Sequence, residues 1–238
     1  MLFFYIRHGD PIYKPDSLTS LGHRQSEALA HRLAQFGLDR IYTSPSQRAR
    51  DTARPTCDMV KLEPIVLDWC DESLAWKDFT IQREDGKSMW LYQNPAFCRK
   101  IIRDGVRDGG TKWCDHPDLE ATRIKEGMER VGWEADALFA ELGYVHLPGE
   151  NCYRVERDNN ERVALFAHQG FGHAFMSHVL DIPYNLYCTH FDMGHSGMTV
   201  IEFANHGGYA IPKVLQLSND SHLWRDGIPT YYQNFYRF

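Results

Sequence analysis

The chain has 238 residues, of which 43% are hydrophobic, 24% charged and 13% aromatic, a globular composition with enough apolar side chains for a core. Twenty-six Lys and Arg against 32 Asp and Glu leave a formal net charge of -6, which argues against a general nucleic-acid or polybasic membrane binder. No apolar run approaches the roughly 20 residues that span a bilayer, and the six scattered cysteines form no C-x-x-C pair, so the expectation is a cytoplasmic chain with reduced thiols and no structural zinc.

Residues 2–6 are wholly apolar and read as a strand buried on both faces. Arg7 ends the run too soon for a signal peptide and leaves Arg7, His8 and Gly9 at the strand's carboxyl end, where open α/β sheets bind ligands. Thr19 is placed to cap a helix that stops at Gly37 and buries Leu21, Ala28, Leu29, Leu33 and Phe36. Residues 38–43 read as a second strand ending in Ser44-Pro45. A helix begins at Ser46 and carries Arg48, Ala49, Thr52 and Ala53; Pro55 is expected to bend or end it. Residues 65–67 form a further strand running into Asp71 and Glu72.

From about residue 73 to 153 the texture changes. Trp76, Trp90, Trp113 and Trp133 are interleaved with charges and with Gly86, Gly105, Gly109 and Gly110. The clearest element is a helix after Asp115-His116-Pro117-Asp118, in which Ala121, Ile124, Met128, Val131, Ala135, Leu138 and Leu142 recur at steps of three and four before Gly143. This stretch reads as an insertion, a lid over the site. The strand–helix rhythm resumes at residues 163–167, which end at His168-Gln169-Gly170. A helix from about Gly172 to Leu180 follows, stopped by Pro183, and then strands at 198–203 and 213–217. The tail is aromatic, with Trp224, Tyr231, Tyr232, Phe235, Tyr236 and Phe238. Such alternation predicts one α/β domain over residues 1–238 with a mainly parallel central sheet.

Four segments with special chemistry each follow a strand: Arg7 and His8, then Arg48, then Asp71 and Glu72, then His168. Neighbouring strands in one sheet would gather them on one rim. Guanidiniums grip phosphate oxygens in bidentate fashion and keep their charge. A histidine among cations stays neutral and nucleophilic, and a carboxylic acid at position 72 or 71 would protonate a leaving oxygen. Helix amino termini beyond His8 and His168 would add backbone donors to an anion. Arg50 points elsewhere on its helix, and Asp10 is read as fixing the turn after Gly9. No metal site is expected: His168, His173 and His178 are five apart and leave a common helix face, and His190 and His195 with Asp192 make only a weak constellation, in which His195 is solvent-exposed, structural or at the border of the pocket.

The run Arg7-His8-Gly9, then Leu18-Thr19-Ser20-Leu21-Gly22 with Gln25 and Ala28, resembles the opening of the histidine phosphatase (phosphoglycerate mutase-like) superfamily. Ser44-Pro45-Ser46-Gln47-Arg48-Ala49-Arg50-Asp51-Thr52-Ala53 is similar to its S-P-x-x-R-A-x-x-T-A signature. Ala167-His168-Gln169-Gly170 stands in the place of its second histidine, and Ser218-Asn219-Asp220-Ser221-His222-Leu223 looks like a late segment of mutase-like members. The lack of R-H-G-x-R-x-P and of H-D points to the mutase-like branch. The resemblance implies a three-layer α/β/α fold and a phosphate monoester hydrolase acting on a small phosphorylated metabolite, with no metal or organic cofactor. It also implies transient phosphorylation of His8, a phosphate pocket of Arg7, Arg48 and His168, and a proton donor in the region of Glu72. A mutase-type phosphotransferase and a non-catalytic phosphoryl-binding protein are the alternatives. The chain departs from the pattern at Gln169, where a small residue is usual, and at Lys14, near where an asparagine often contacts phosphate; both are secondary pocket candidates. Ala75-Trp76-Lys77-Asp78-Phe79 replaces the frequent G-x-W-E-G after the acid.

Overall fold

The computed structural model describes residues 1–107 and 113–230, apart from the side chains of 105–107. Gly109, Gly110 and the aromatic tail from Tyr231 lie outside the described residues. In chain order the elements are β1 (Leu2–Arg7), β2 (Pro11–Tyr13), β3 (Asp16–Leu18), α1 (Ser20–Phe36), β4 (Arg40–Thr43), α2 (Gln47–Val60), β5 (Ile65–Val66), α3 (Glu72–Asp78), β6 (Thr80–Gln82) and β7 (Ser88–Trp90). Then follow α4 (Pro95–Arg107), α5 (Ile124–Glu141), β8 (Tyr144–Leu147), β9 (Cys152–Val155), β10 (Arg162–Ala167), α6 (Gln169–Val179), α7 (Tyr184–His190), β11 (Met198–Glu202), β12 (Tyr209–Ala210), β13 (Lys213–Asn219) and α8 (Ser221–Arg225).

The central sheet has the order β13-β11-β1-β10-β4-β5. β1, β10, β4 and β5 run parallel, and β11 is antiparallel to both of its neighbours, β1 and β13, so that β13 runs in the direction of β1. Side chains alternate across this sheet, so β1 divides between two cores. Phe3 and Tyr5 join Phe171 and Phe175 of α6 and Phe139 of α5 on one face. Phe4 and Ile6 join Leu29 and Leu33 of α1 and Ala53 and Cys57 of α2 on the other. Each such ring or aliphatic side chain contributes roughly 1.5–3 kcal/mol by leaving water. The expected α/β architecture with a mainly parallel sheet is therefore present.

Within the stretch 73–153, α5 packs against α6 and buries Ile124, Val131, Ala135, Leu138 and Phe139. The indole of Trp133 is exposed. Three helix boundaries differ from the sequence reading. Pro55 does not end α2, which continues to Val60. Proline removes a single bond there, to the carbonyl of Asp51 on the half-exposed side, while Ala49, Ala53, Thr56 and Cys57 hold the other side in the core. The helix expected straight after Asp118 begins only at Ile124. A separate turn at Pro117–Leu119, capped by His116, intervenes, and Ala121 is exposed. α6 begins at Gln169, immediately after His168, although Gly170 and Gly172 are poor helix formers.

The turn after His8 is built on α1. Thr19 caps α1 through Gly22 N–H (3.0 Å) and donates its hydroxyl to Asp10 Oδ2 (2.7 Å), which gives Asp10 the turn-fixing role expected of it. A Cβ on Gly22 would lie 2.2 Å from the Asp10 carbonyl oxygen, so the backbones touch. Gly22→Ala is expected to destabilise the fold by about 1–3 kcal/mol and to lower activity by moving the His8 loop. Urea unfolding checks this, and a midpoint equal to that of the parent chain would refute it.

Candidate active site

The parallel register places Arg7 beside Ala167 and Phe166 beside Thr43. One residue further on, His8, His168 and Ser44 therefore emerge together at the carboxyl edge of the sheet. The sequence-derived residues Arg7, His8, Arg48, Glu72, Gln169 and Lys14 all line one cavity of about 970 Å³, together with Tyr13, Asp16, Ser46, Asp71, Trp76, Trp90 and Tyr92. His168 is fully buried behind this wall, with its ring 5.2 Å from that of His8.

His8 is held on both sides of its backbone. Its N–H donates to Ala167 O (3.0 Å), and its carbonyl accepts from Ser196 N–H (3.1 Å). Its ring Nδ1 lies 2.7 Å from Gly9 O, a pure acceptor, so Nδ1 carries the proton and Nε2 keeps the lone pair. Burial, followed by the neighbouring His168 and Arg7, depresses the His8 pKa well below its ordinary value. An uncharged, nucleophilic imidazole is the result.

Each arginine is gripped by a neutral histidine. Arg48 Nη2 donates to His168 Nδ1 (3.1 Å), whose Nε2–H is then directed to Ser44 Oγ (2.7 Å). Arg48 Nη1 also pairs with Asp16 (2.8 Å) from β3. Arg7 Nη2 donates to His195 Nε2 (2.9 Å), and His195 Nδ1 faces Asp10 Oδ1 at 3.4 Å. Burial lowers His195 to about 3, with Arg7 adding to the effect, and burial followed by Arg48 lowers His168 strongly. Two cations thus flank His8 with neutral imidazole acceptors beside them.

Glu72 opens α3 and lies partly buried at the cavity wall. Its Oε1 accepts Gly170 N–H and its Oε2 accepts Phe171 N–H, both at 3.0 Å, from the first turn of α6. Those bonds and the arginines favour the carboxylate, but desolvation outweighs them and raises its pKa to about 7. The neighbouring acid, Asp71, serves the backbone instead, because its carboxylate caps α3 through Ser73 N–H (2.7 Å). Gln169 donates its side-chain amide to Asp192.

Sequence reasoning misses much of the surroundings. His195, for which a place at the border of the pocket is one of the alternatives read from the sequence, is the acceptor for Arg7, and that role is not written in its own loop. That loop is braced by the late motif: Ser218 Oγ accepts Gly194 N–H (2.8 Å), and Ser196 Oγ lies 3.0 Å from His222 Nε2. Arg50 donates to the exposed Gln47 side chain, as expected of a structural charge. The aromatic wall is set by Gly170, where a Cβ would come within 2.4 Å of the Trp90 ring. Trp76 meets Trp90 edge to face at 5.0 Å, and Tyr92 stacks on it at 5.7 Å.

The model of the histidine phosphatase superfamily (branch 1) matches residues 4–89, the segment that carries Arg7, His8, Arg48 and Glu72. No curated protein matches the sequence. Among solved structures, the chain is similar to a phosphoserine phosphatase from Entamoeba histolytica in complex with 3-phosphoglyceric acid, at 16% identity and a TM-score of 0.60 over 93% of this chain and 98% of that one. It is also similar to an alpha-ribazole phosphatase from Shigella flexneri (16%, TM-score 0.56, 92% and 97% covered). A mycobacterial glucosyl-3-phosphoglycerate phosphatase aligns at 18% identity and TM-score 0.56 over 91% and 98%. The amino-terminal part of the chain thus matches the histidine phosphatase superfamily model, and the chain as a whole shares the fold of these phosphatases.

A lysine at position 48 would keep the charge and lose the planar fork that meets Asp16, His168 and an anion together. Arg48→Lys is expected to weaken binding of inorganic phosphate about tenfold, or ~1.4 kcal/mol. Calorimetric titration measures it, and unchanged affinity would put the anion elsewhere.

Proposed function

We propose that the chain hydrolyses a phosphate monoester of a small metabolite through a phosphohistidine on His8. The observation that carries this reading is the bond from His8 Nδ1 to Gly9 O, which leaves the Nε2 lone pair between two arginines. Nε2 attacks phosphorus in line as the bond to the leaving oxygen breaks. Arg7 and Arg48 neutralise charge on the equatorial oxygens, and His168 holds Arg48 in place. The protonated carboxyl of Glu72 gives its proton to the departing alkoxide. As a carboxylate, it then takes a proton from water, which attacks the phosphohistidine and releases phosphate. Gln169 and Lys14 border the same cavity as secondary contacts. No step calls for a metal or organic cofactor.

Trp76, Trp90 and Tyr92 face the part of the cavity left for the leaving group, and in this reading they belong to the portion of the 73–153 insertion that closes over the substrate. Flat aromatic walls favour a leaving group with an apolar or planar face. Trp76→Ala is expected to raise KM for an aryl phosphate by up to about tenfold and to leave glycerol phosphate nearly unaffected. Equal changes for both would remove the wall from substrate recognition.

His8→Ala should abolish both turnover and the alkali-stable, acid-labile phosphoenzyme; a fully active variant would refute the mechanism. Isomerisation of a phosphometabolite without release of free phosphate would instead identify a mutase.

Glu72 works as an acid with a pKa of about 7, so kcat/KM for an alkyl phosphate should fall as pH rises above about 7. His8, with its lowered pKa, keeps its lone pair through the mildly acidic range. Glu72→Gln should flatten the alkaline limb and lower kcat/KM by about 10²–10⁴. The loss should be much smaller for p-nitrophenyl phosphate, whose leaving group needs no proton. An unchanged pH profile would assign the proton to another group.

A further inference from the structure

At the far end of α6 from the cavity lies a second cluster of chemistry-bearing side chains that the phosphatase reading does not use. Asp136 of α5, His146 of β8 and His178 of α6 bring ligand atoms within 4.8 Å of one another. Asp136 Oδ1 is 2.9 Å from His146 Nδ1 and 2.7 Å from His178 Nε2. His146 Nε2 lies 3.1 Å from Asp181 Oδ2, just beyond α6.

Three features show how these groups are held. The His146 ring is almost wholly buried and stacks on Tyr153 at 4.5 Å. His178 packs on Gly132 so closely that a Cβ there would sit 2.9 Å from its Cε1. Asp181 adopts the left-handed conformation (φ 51°) usually left to glycine at a helix end, and so returns its carboxylate to His146. Asp136 and His178 remain partly exposed, which leaves a route from solvent and a position for a water ligand.

We propose that Asp136, His146 and His178 form a site for one divalent transition-metal ion of the Zn²⁺ type, with Asp181 as the positioning residue that orients His146. Two imidazole nitrogens and a carboxylate oxygen are a donor set that zinc takes in tetrahedral sites. Bonds of about 2.0–2.2 Å put tetrahedral ligand atoms roughly 3.3–3.6 Å apart, so the two spacings to Asp136 Oδ1 open by about half an ångström or slightly more. The ion replaces the protons that His146 Nδ1 and His178 Nε2 direct at Asp136, and these pass to solvent, while His146 Nε2–H stays directed at Asp181, the carboxylate–histidine–metal arrangement that fixes a ligand's tautomer. Ten residues of rise separate His178 from His168, about 15 Å along α6. The ion therefore ties α5, β8 and α6 together and takes no part at phosphorus.

The test uses the full chain, stripped with chelator and titrated with Zn²⁺ by calorimetry and with Co²⁺ by visible absorption. The expected result is one Zn²⁺ per chain, intense tetrahedral Co²⁺ bands and a raised Tm. Twelve histidines offer adventitious sites, so the variants decide. His178→Ala should weaken binding at least about tenfold and remove the Co²⁺ bands, and Asp181→Asn should weaken it about 10–100-fold while keeping the stoichiometry. Asp181 lies outside the ligand set, which keeps the experiment decisive if His178→Ala does not fold. Absence of 1:1 binding, or variants that titrate like the parent, would overturn the proposal and leave a hydrogen-bonded clamp. Neither result bears on the His8 chemistry.

Discussion

Two guanidinium groups held against an uncharged imidazole are the constraint around which the rest of the site is arranged. Like charge and burial together keep His8 and His168 neutral. Had carboxylates faced both arginines from the cavity side, their charge would be cancelled before an anion arrived. Neutral acceptors take part of that place: His195 and the Met193 carbonyl accept from Arg7, and His168 accepts from Arg48. Asp16 approaches Arg48 from the β2–β3 hairpin, and the buried Nε of Arg48 has no hydrogen-bond partner among the described residues. Such an arrangement is destabilising in isolation. The aromatic and aliphatic cores on both faces of the sheet supply the opposing free energy.

Much of this is legible in the sequence because it depends on strand ends. The runs at residues 2–6 and 163–167 are too apolar for anything but interior strands, and their parallel pairing in register makes Arg7-His8 and His168 neighbours. Arg48 follows from a serine cap and an apolar helix face, both written in residues 46–57. What stays hidden depends on tertiary contact. Proline's cost at position 55 is one hydrogen bond, and the buried face of α2 outweighs it. The place of His195 is decided by Ser218 and His222, more than twenty residues downstream, acting on a loop without periodicity. The choice between Asp71 and Glu72 turns on which carboxylate caps α3 and which reaches α6, and spacing alone does not carry that information.

Glu72 joins these parts. Helix amino termini favour anions, and here the first turn of α6 presents two N–H groups to a carboxylate of its own chain, in the wall of the cavity that also exposes Arg7 and Arg48. Those donors and the two arginines pull the pKa down, while removal from water pushes it up and prevails, leaving the group near neutrality. In the proposed reaction a bound phosphate dianion would add negative charge nearby and offset the arginines, which would favour the protonated form at the stage when a leaving group needs a proton. The same turn of α6 also explains the missing side chain at Gly170. The outer rim of the Trp90 ring can reach the backbone at Gly170 only because no Cβ is there, at the residue whose amide donates to Glu72.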